Sequence, residues 1–181
     1  PLWGGFVLRG YGKLGYGNDL PFYKNFYAGG YGSVRGYDNS SLGPKYPSVI
    51  FQEMGEDDLS KEEVGGNALV QFGTELALPL PFKGDWARQV RPVLFAEGAQ
   101  VFDTKCDVPS GNILVNSSNV DIKQYCKDNY NFNFDNMRYS VGVGFTWITM
   151  IGPLSLSYAF PLNDKKGDDT KSIQFEIGRT F

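Results

Sequence analysis

Apolar and polar residues alternate with a period of two in six separate segments of the sequence. Successive side chains of a β-strand point to opposite faces, so this alternation predicts strands with one apolar and one polar face. The segments are residues 2–17, 67–80, 90–103, 137–149, 154–162 and 172–181. The third is the least regular, because Val93, Phe95 and Val101 fall on its polar side. The pattern predicts an all-β fold.

The connections between these segments differ strongly in length. Residues 18–64 and 104–136 are long polar stretches, whereas connections on the other side, such as Ile151-Gly152-Pro153, are short. Strands of roughly ten residues, apolar outside and polar inside, with short turns at one end, are typical of transmembrane β-barrels. Aromatic residues near the strand ends fit the belts that membrane proteins carry at the membrane surfaces. These residues are Trp3, Tyr16, Trp86, Phe102, Tyr139, Trp147 and Phe160.

A soluble β-sandwich is the alternative, because its strands also alternate and bury their apolar face. A sandwich needs neither so many Gly and Ser residues on the polar face nor loops of such unequal length. We therefore expect an antiparallel transmembrane β-barrel. Six strands are too few to close one, and open edges are not tolerated in lipid. We accordingly expect either further strands before Pro1 or another chain that completes the sheet.

The composition excludes several classes of function. The 181 residues include no His, which rules out Ser-His-Asp and Cys-His nucleophile systems and His-ligated metal sites within this chain. The net charge is −3, and no basic block is suited to nucleic acid. No stretch has about 18 consecutive apolar residues, so no transmembrane helix is expected.

One stretch of the first long loop, residues 27–37, places a single Arg between small and aromatic residues. Its centre is Val34-Arg35-Gly36-Tyr37. Gly36 can adopt a positive φ at no steric cost, so the chain can fold back directly after Arg35. The guanidinium offers five donors in a rigid fork. The stretch predicts a loop that inserts Arg35 where carboxylates can meet it, although an ordinary Gly-rich surface turn also fits the tetrapeptide alone.

Both cysteines, Cys106 and Cys126, fall in the second long loop. Two thiols alone make a poor metal site, so a disulfide that closes this loop is the expected use, and it implies an oxidising compartment. Two free thiols are the alternative.

Several separated segments carry a family resemblance, and they occur in the family's order. The segments are Leu20-Pro21-Phe22-Tyr23-Lys24-Asn25-Phe26-Tyr27-Ala28-Gly29-Gly30, Val34-Arg35-Gly36-Tyr37, Val64-Gly65-Gly66-Asn67-Ala68, Ile151-Gly152-Pro153-Leu154, Ser157-Tyr158-Ala159 and Phe175-Glu176-Ile177-Gly178-Arg179-Thr180-Phe181. Over essentially all of residues 2–181, the chain resembles the C-terminal part of the outer-membrane β-barrel assembly factors. Their superfamily also includes two-partner-secretion transporters, which share a Val-Arg-Gly motif.

The resemblance implies an antiparallel barrel of sixteen strands, of which this chain supplies the last six, preceded by periplasmic transport-associated domains. It implies a non-enzymatic protein of the bacterial outer membrane that folds and inserts other barrel proteins without ATP, a metal or a bound cofactor. The implied partners are unfolded outer-membrane proteins, accessory assembly lipoproteins and outer-membrane lipid. The alternatives are a two-partner-secretion transporter, and a passive pore or outer-membrane hydrolase. The hydrolase is weakened by the absence of His, and a pore explains neither Arg35 nor matching carboxylates.

The resemblance also assigns roles to particular residues. Arg35 is expected to pair with Glu75 and Glu97, which both have polar-face parity. The last strand is expected to pair weakly with the first strand of the barrel and to open there as a lateral gate; its residues are Ile173, Phe175, Ile177, Gly178 and Phe181. A rigid closing strand is the alternative. One member of this family carries its cysteine pair in the loop with the Arg motif, whereas Cys106 and Cys126 lie in the next long loop. No family role is therefore transferred to this pair.

Overall fold

The structure, a computed structural model, describes residues 5–47, 61–80, 89–106, 112–115, 118–150, 152–165 and 167–178. Its strands are β1 (Val7–Tyr16), β2 (Gly36–Tyr37), β3 (Lys45–Pro47), β4 (Lys61–Glu63), β5 (Ala68–Ala77), β6 (Val90–Phe102), β7 (Asn112–Val115), β8 (Ser118–Asp121), β9 (Arg138–Thr149), β10 (Gly152–Pro161), β11 (Thr170–Lys171) and β12 (Ile173–Ile177). One α-helix, α1, covers Ile122–Asn129, and short 3-10 turns cover Phe22–Lys24 and Phe134–Asn136.

Six of these strands form one antiparallel sheet in the order β1-β5-β6-β9-β10-β12. Each therefore pairs with the next long strand along the chain, and all six coincide with the segments of alternating sequence. The predicted all-β antiparallel fold is confirmed. Within the described residues, β1 and β12 form the two edges of the sheet.

The two faces of the sheet have opposite chemistry. Large apolar side chains are exposed on one face, which we call the outer face; examples are Phe72, Val143, Trp147 and Phe175. The inner face instead buries small or polar side chains, such as Ser157. This arrangement is the reverse of a soluble sandwich, which hides its apolar face. It is the arrangement of a barrel wall with lipid outside and polar groups inside. Trp3 and Trp86, predicted to lie in the aromatic belts, are outside the described residues.

The long connections all lie at one end of the sheet, which we call the long-loop end. Residues 17–67 join β1 to β5, residues 103–137 join β6 to β9, and residues 162–172 join β10 to β12. Residues 28–42 of the first connection pack on the inner face and form a small apolar core with β5 and β6. This core consists of Ala28, Val34, Tyr37, Leu42, Leu69, Ala99 and Val101. Full burial of each larger apolar side chain contributes about 1.5–3 kcal/mol, so this core stabilises the loop inside the sheet.

The second long connection is more ordered than its polar sequence indicates. Within this predicted long loop, residues 104–136, the structure forms the β7–β8 hairpin and α1. The side chain of Asp121 caps α1 by accepting from the backbone N–H groups of Lys123 (2.8 Å) and Gln124 (3.2 Å). Asp is a preferred N-cap residue, so a local signal for this helix was present in the sequence. Among the described residues, no helix is both long and apolar enough to cross a membrane.

Candidate functional site

The candidate site is built on residues 27–42, which we call the Arg loop. Its two ends are tied together, because the backbone N–H groups of Ala28 and Leu42 each donate to the other's carbonyl oxygen (3.0 and 2.9 Å). Gly36 adopts a φ of +97°, a conformation that L-residues with side chains rarely adopt. A Cβ at this position would lie 3.2 Å from the Cβ of Ala159 on β10. Gly36 therefore lets the chain reverse while it lies against the sheet.

Arg35 lies in the middle of this loop and is only 1% exposed. Its Nε donates to Oε1 of Glu97 (2.9 Å), and its backbone N–H donates to Oε2 of the same carboxylate (2.8 Å). Its Nη2 donates to Oε1 of Glu97 (2.5 Å) and to Oε1 of Glu75 (2.6 Å). Both glutamates are buried. The structure thus brings together Arg35 and the two carboxylates that the sequence analysis associates with it.

Aromatic rings surround this cluster, and the guanidinium carbon of Arg35 lies 5.3 Å from the ring centroid of Tyr31. The guanidinium carbon lies 3.5 Å from the ring centroid of Phe95, and the hydroxyl of Tyr11 donates to Oε1 of Glu97 (2.9 Å). Glycines on neighbouring strands leave space for these rings. A Cβ on Gly73 would lie 2.6 Å from the hydroxyl oxygen of Tyr11, and a Cβ on Gly142 would lie 2.4 Å from Cζ of Phe95. The polar-face glycines therefore make room for the groups that surround the Arg.

The electrostatics of the cluster keep Arg35 charged. Burial lowers the pKa of Arg35, but the hydrogen bonds and negative charges of Glu97 and Glu75 outweigh it and raise the pKa above its ordinary value. Two carboxylates and one guanidinium leave an excess of one negative charge if all are ionised. In the described ranges, no group of three or more His, Cys, Asp or Glu side chains is arranged to hold a metal ion.

The Arg loop is also held by the connection between β10 and β12, a contact that the sequence analysis missed. Strand β11 in this connection pairs with β2 of the Arg loop, so that Thr170 lies opposite Tyr37. The backbone N–H of Asp38 donates to the carbonyl oxygen of Asp169 (2.8 Å). The side chain of Gln174, on the inner face of β12, donates from Nε2 to the carbonyl oxygen of Tyr37 (2.6 Å). The loop thus contacts both halves of the sheet.

An ion pair fixes this connection to the sheet. Arg138, at the start of β9, donates from Nε and Nη2 to the two carboxylate oxygens of Asp168 (2.5 and 3.1 Å). The pair is bidentate and mostly buried, and bonds of this kind are stronger than neutral ones. Burial, followed by the charge of Asp168, raises the pKa of Tyr37 to about 12, so its hydroxyl stays neutral at physiological pH.

The residues predicted to form a gate lie on the free edge of the sheet. Strand β12 pairs with β10, and no described residue pairs with its other edge. Ile173, Phe175 and Ile177 are about equally exposed, at 61%, 60% and 59%. Gly178 follows the strand with a φ of +88°, and among the described residues no atom beyond its chain neighbours lies within 4 Å of a Cβ built there. Phe181 is outside the described residues.

The cysteines are joined in a disulfide, Cys106–Cys126, with a Cα–Cα distance of 5.7 Å. Both sulfur-bearing side chains are buried. The bond links the chain just after β6 to the middle of α1, so it lies in the second long connection and not in the Arg loop. It therefore holds the helix of that connection against the end of the sheet.

The sequence is similar to those of known proteins over nearly its whole length. A family model described as the Omp85 superfamily domain matches residues 3–181. The chain is 38% identical, over 176 residues, to the outer membrane protein assembly factor BamA of Neisseria meningitidis serogroup B, a match that covers 97% of this chain and 20% of that protein. It is 25% identical, over 160 residues, to the BamA of Nitratidesulfovibrio vulgaris, covering 88% of this chain and 15% of that protein.

A solved structure is similar as well. The crystal structure of BamA from Haemophilus ducreyi lacking POTRA domains 1-3 superposes with a TM-score of 0.70 at 32% identity, covering 94% of this chain and 30% of that one. The match to the Neisseria relative spans only about a fifth of the length of that protein. These relatives are outer-membrane proteins, and the location inferred from the resemblance, the bacterial outer membrane, is confirmed. By its family match and by its identity to the Neisseria protein, the chain belongs to the Omp85 superfamily.

Proposed function

We propose that this chain is part of an outer-membrane assembly factor, which folds other β-barrel proteins and inserts them into the membrane. The observation that carries the proposal is the 38% identity to the Neisseria assembly factor across 97% of the chain. The proposed function is non-enzymatic and requires no bound cofactor. Its partners are unfolded outer-membrane proteins, accessory lipoproteins and the surrounding lipid.

We propose that residues 1–181 are the C-terminal portion of one barrel domain within a longer protein. The open edges of the described sheet support this, because a strand edge in hydrocarbon would leave backbone N–H and C=O groups without hydrogen-bond partners. Further strands that pair with β1 and with β12 would satisfy both edges. The transport-associated periplasmic domains of the family would then precede those strands.

In this proposal the motif Val34-Arg35-Gly36-Tyr37 acts as a brace inside the barrel. Arg35 binds carboxylates on β5 and β6, whereas the carbonyl oxygen of Tyr37 accepts from Gln174 on β12. The loop therefore connects β5 and β6, on one side of the described sheet, to the edge strand β12 across the inner face. A wall held in this way keeps its shape while one edge exchanges partners.

The exchanging edge is β12. Its outward side chains are exposed, its second edge has no partner among the described residues, and Gly178 ends the strand with a positive φ. Free backbone donors and acceptors on such an edge are the groups to which an incoming strand binds in β-augmentation. We propose that β12 forms one side of a lateral gate at which client strands are added to the sheet.

The experiment uses the full-length protein in liposomes with an unfolded barrel protein as client, and it measures the fraction of client that becomes folded in the membrane. A Gly178→Cys substitution, combined with a Cys on the opposing first strand, locks the seam on oxidation. We expect oxidation to slow client insertion strongly and reduction to restore it. A matched control joins β12 to β10 through Leu156→Cys and Phe175→Cys, which are direct partners in the sheet. This lock should leave insertion unchanged.

The outcomes separate the gate from the function. Normal insertion with a locked seam disproves the gate and leaves the assembly function standing. If the unmodified protein, with its accessory lipoproteins, inserts clients no faster than empty liposomes, the assembly function itself is wrong. If the client protein instead crosses the bilayer without becoming embedded in it, this result favours the alternative function, a two-partner-secretion transporter.

A further inference from the structure

After helix α1, residues 130–136, which we call the rim segment, pass over the outer face of the sheet at its long-loop end. Gln100 on the outer face of β6 donates from Nε2 to the carbonyl oxygen of Asn131 (3.1 Å). Its Oε1 accepts from the backbone N–H of Asn133 (3.3 Å). Gln100 is therefore only 5% exposed on a face that is otherwise largely open. From Asn131 onward the rim segment therefore lies over the outer side of the wall, whereas the hydroxyl of Tyr130 donates to the carbonyl oxygen of Lys45 in the first long connection.

Two aromatic side chains of the rim segment extend the apolar outer face. The ring of Phe132 packs on Phe102 of β6, with 5.3 Å between centroids. Phe134 packs edge-on against Phe132, with 5.2 Å between centroids. Both remain open on their outer side, since Phe132 is 44% exposed and Phe134 is 67% exposed. Together the three rings form an aromatic ledge that continues the lipid-facing surface beyond the end of β6.

Several polar groups of the rim segment, in contrast, are paired within the protein. The side chain of Asn133 accepts from the backbone N–H of Asp135 (3.0 Å), and the backbone carbonyl oxygen of Asn133 accepts from the N–H of Asn136 (2.9 Å). The carbonyl oxygen of Asp135 accepts from the side chain of Asn163 (3.1 Å). Irregular backbone is tolerated next to lipid only where such groups have internal partners. These three bonds give the segment internal partners of this kind while its rings stay exposed.

We propose that the rim segment is a lipid-contact surface, and that Phe132 and Phe134 insert among the acyl chains at the outer interface of the membrane. The long-loop end is the extracellular end of a barrel of this type. Aromatic rings are favoured at the membrane–water interface, and this ledge is continuous with Phe102 on the lipid-facing wall. The rim segment therefore anchors the extracellular end of β6 and the disulfide-bonded connection to the membrane. This proposal rests on the barrel fold and not on the assembly function.

The test measures where these two positions lie in a bilayer. The full-length protein is labelled with a nitroxide at Phe134→Cys, and separately at Phe132→Cys, with the native disulfide left oxidised. Access to oxygen, which concentrates in lipid, is compared with access to a water-soluble nickel chelate. Val143→Cys, on the outer face in the middle of β9, is the lipid reference. Lys123→Cys, at an exposed position of α1, is the water reference.

We expect labels at positions 132 and 134 to favour oxygen over nickel, as at position 143. A preference for nickel at both positions, as at position 123, overturns the proposal. Poor access to both reagents also overturns it, because protein would then cover the ledge. Heat-dependent mobility on a gel verifies that each labelled barrel is folded. Phe134 is largely exposed, so its substitution leaves the fold intact.

Discussion

The most informative perturbation of the Arg loop is Glu97→Gln, which keeps the size of the side chain but removes its charge. The carboxylate accepts four hydrogen bonds: three reach Oε1, from Nε and Nη2 of Arg35 and from Tyr11, and one reaches Oε2, from the backbone N–H of Arg35. An amide has only one acceptor oxygen, and its NH₂ group is a donor. If the amide oxygen takes the Oε1 position, the backbone N–H of Arg35 faces another donor.

The magnitude follows from these contacts. Removing one partner of a buried ion pair costs about 3–5 kcal/mol, and the lower end applies because Glu75 still binds Arg35. The backbone N–H left without an acceptor adds about 1 kcal/mol or more. The free energy for opening the Arg loop should fall by about 4 kcal/mol, which is nearly three powers of ten in the open population.

Hydrogen exchange of peptides covering residues 27–42, in the full-length protein in a bilayer, measures this change. Glu75→Gln is the matched control, because Glu75 accepts one hydrogen bond from Arg35, which an amide oxygen can still receive. We expect Glu75→Gln to accelerate exchange by only about tenfold, corresponding to about 1.4 kcal/mol. Unchanged protection in Glu97→Gln, or an equal effect of the two substitutions, would refute the assignment of Glu97 as the principal partner.

Three further predictions concern the surroundings of this cluster. Gly36→Ala should destabilise the Arg loop by roughly 1–3 kcal/mol, because the residue has a positive φ and lies against β10; faster protease cleavage of the loop in a folded barrel measures this. Asp168→Asn should weaken the bond to Arg138 by about 1.5–3 kcal/mol and accelerate exchange of the amide groups in β2 and β11; an unchanged rate there would show that the ion pair does not hold the connection. Replacing Cys106 and Cys126 by Ser should remove about 3 kcal/mol from the stability of their loop and leave client insertion intact; loss of insertion while hydrogen exchange shows α1 still ordered would assign the disulfide a role in assembly.

The strands were predictable because each shows the alternation of apolar and polar residues within its own sequence. In β9, Tyr139, Val141 and Val143 alternate with small residues, and a one-residue shift would turn the apolar row inward. By the same parity, Glu75 and Glu97 lie on the inner face. Parity does not determine which inner-face carboxylates meet Arg35, because that depends on the register between strands and on the path of a long loop.

The irregular part of β6 has a cause that lies outside the strand. Phe95 interrupts the polar face because its ring stacks on the guanidinium of Arg35, a residue far away in the chain. Likewise, the charged connection after β10 shows no strand pattern, since β11 contains only two residues and its partner is β2. Helix α1 was missed for a different reason: Ile122, Tyr125 and Cys126 have helical spacing, but eight residues are too few for that period to stand out within a long polar stretch.

The contact between Gln174 and Tyr37 has a consequence for the order in which the protein folds. The two residues are 137 positions apart in the sequence. The Arg loop lies early in the sequence, between β1 and β5, yet some of its hydrogen bonds join it to β11 and β12. Contacts over such long separations form slowly, since a large loop must close before they contribute free energy. The Arg loop therefore reaches its final position only after β12 has paired with β10. Docking of the loop is a late folding step, and it occurs when this wall of the barrel is complete.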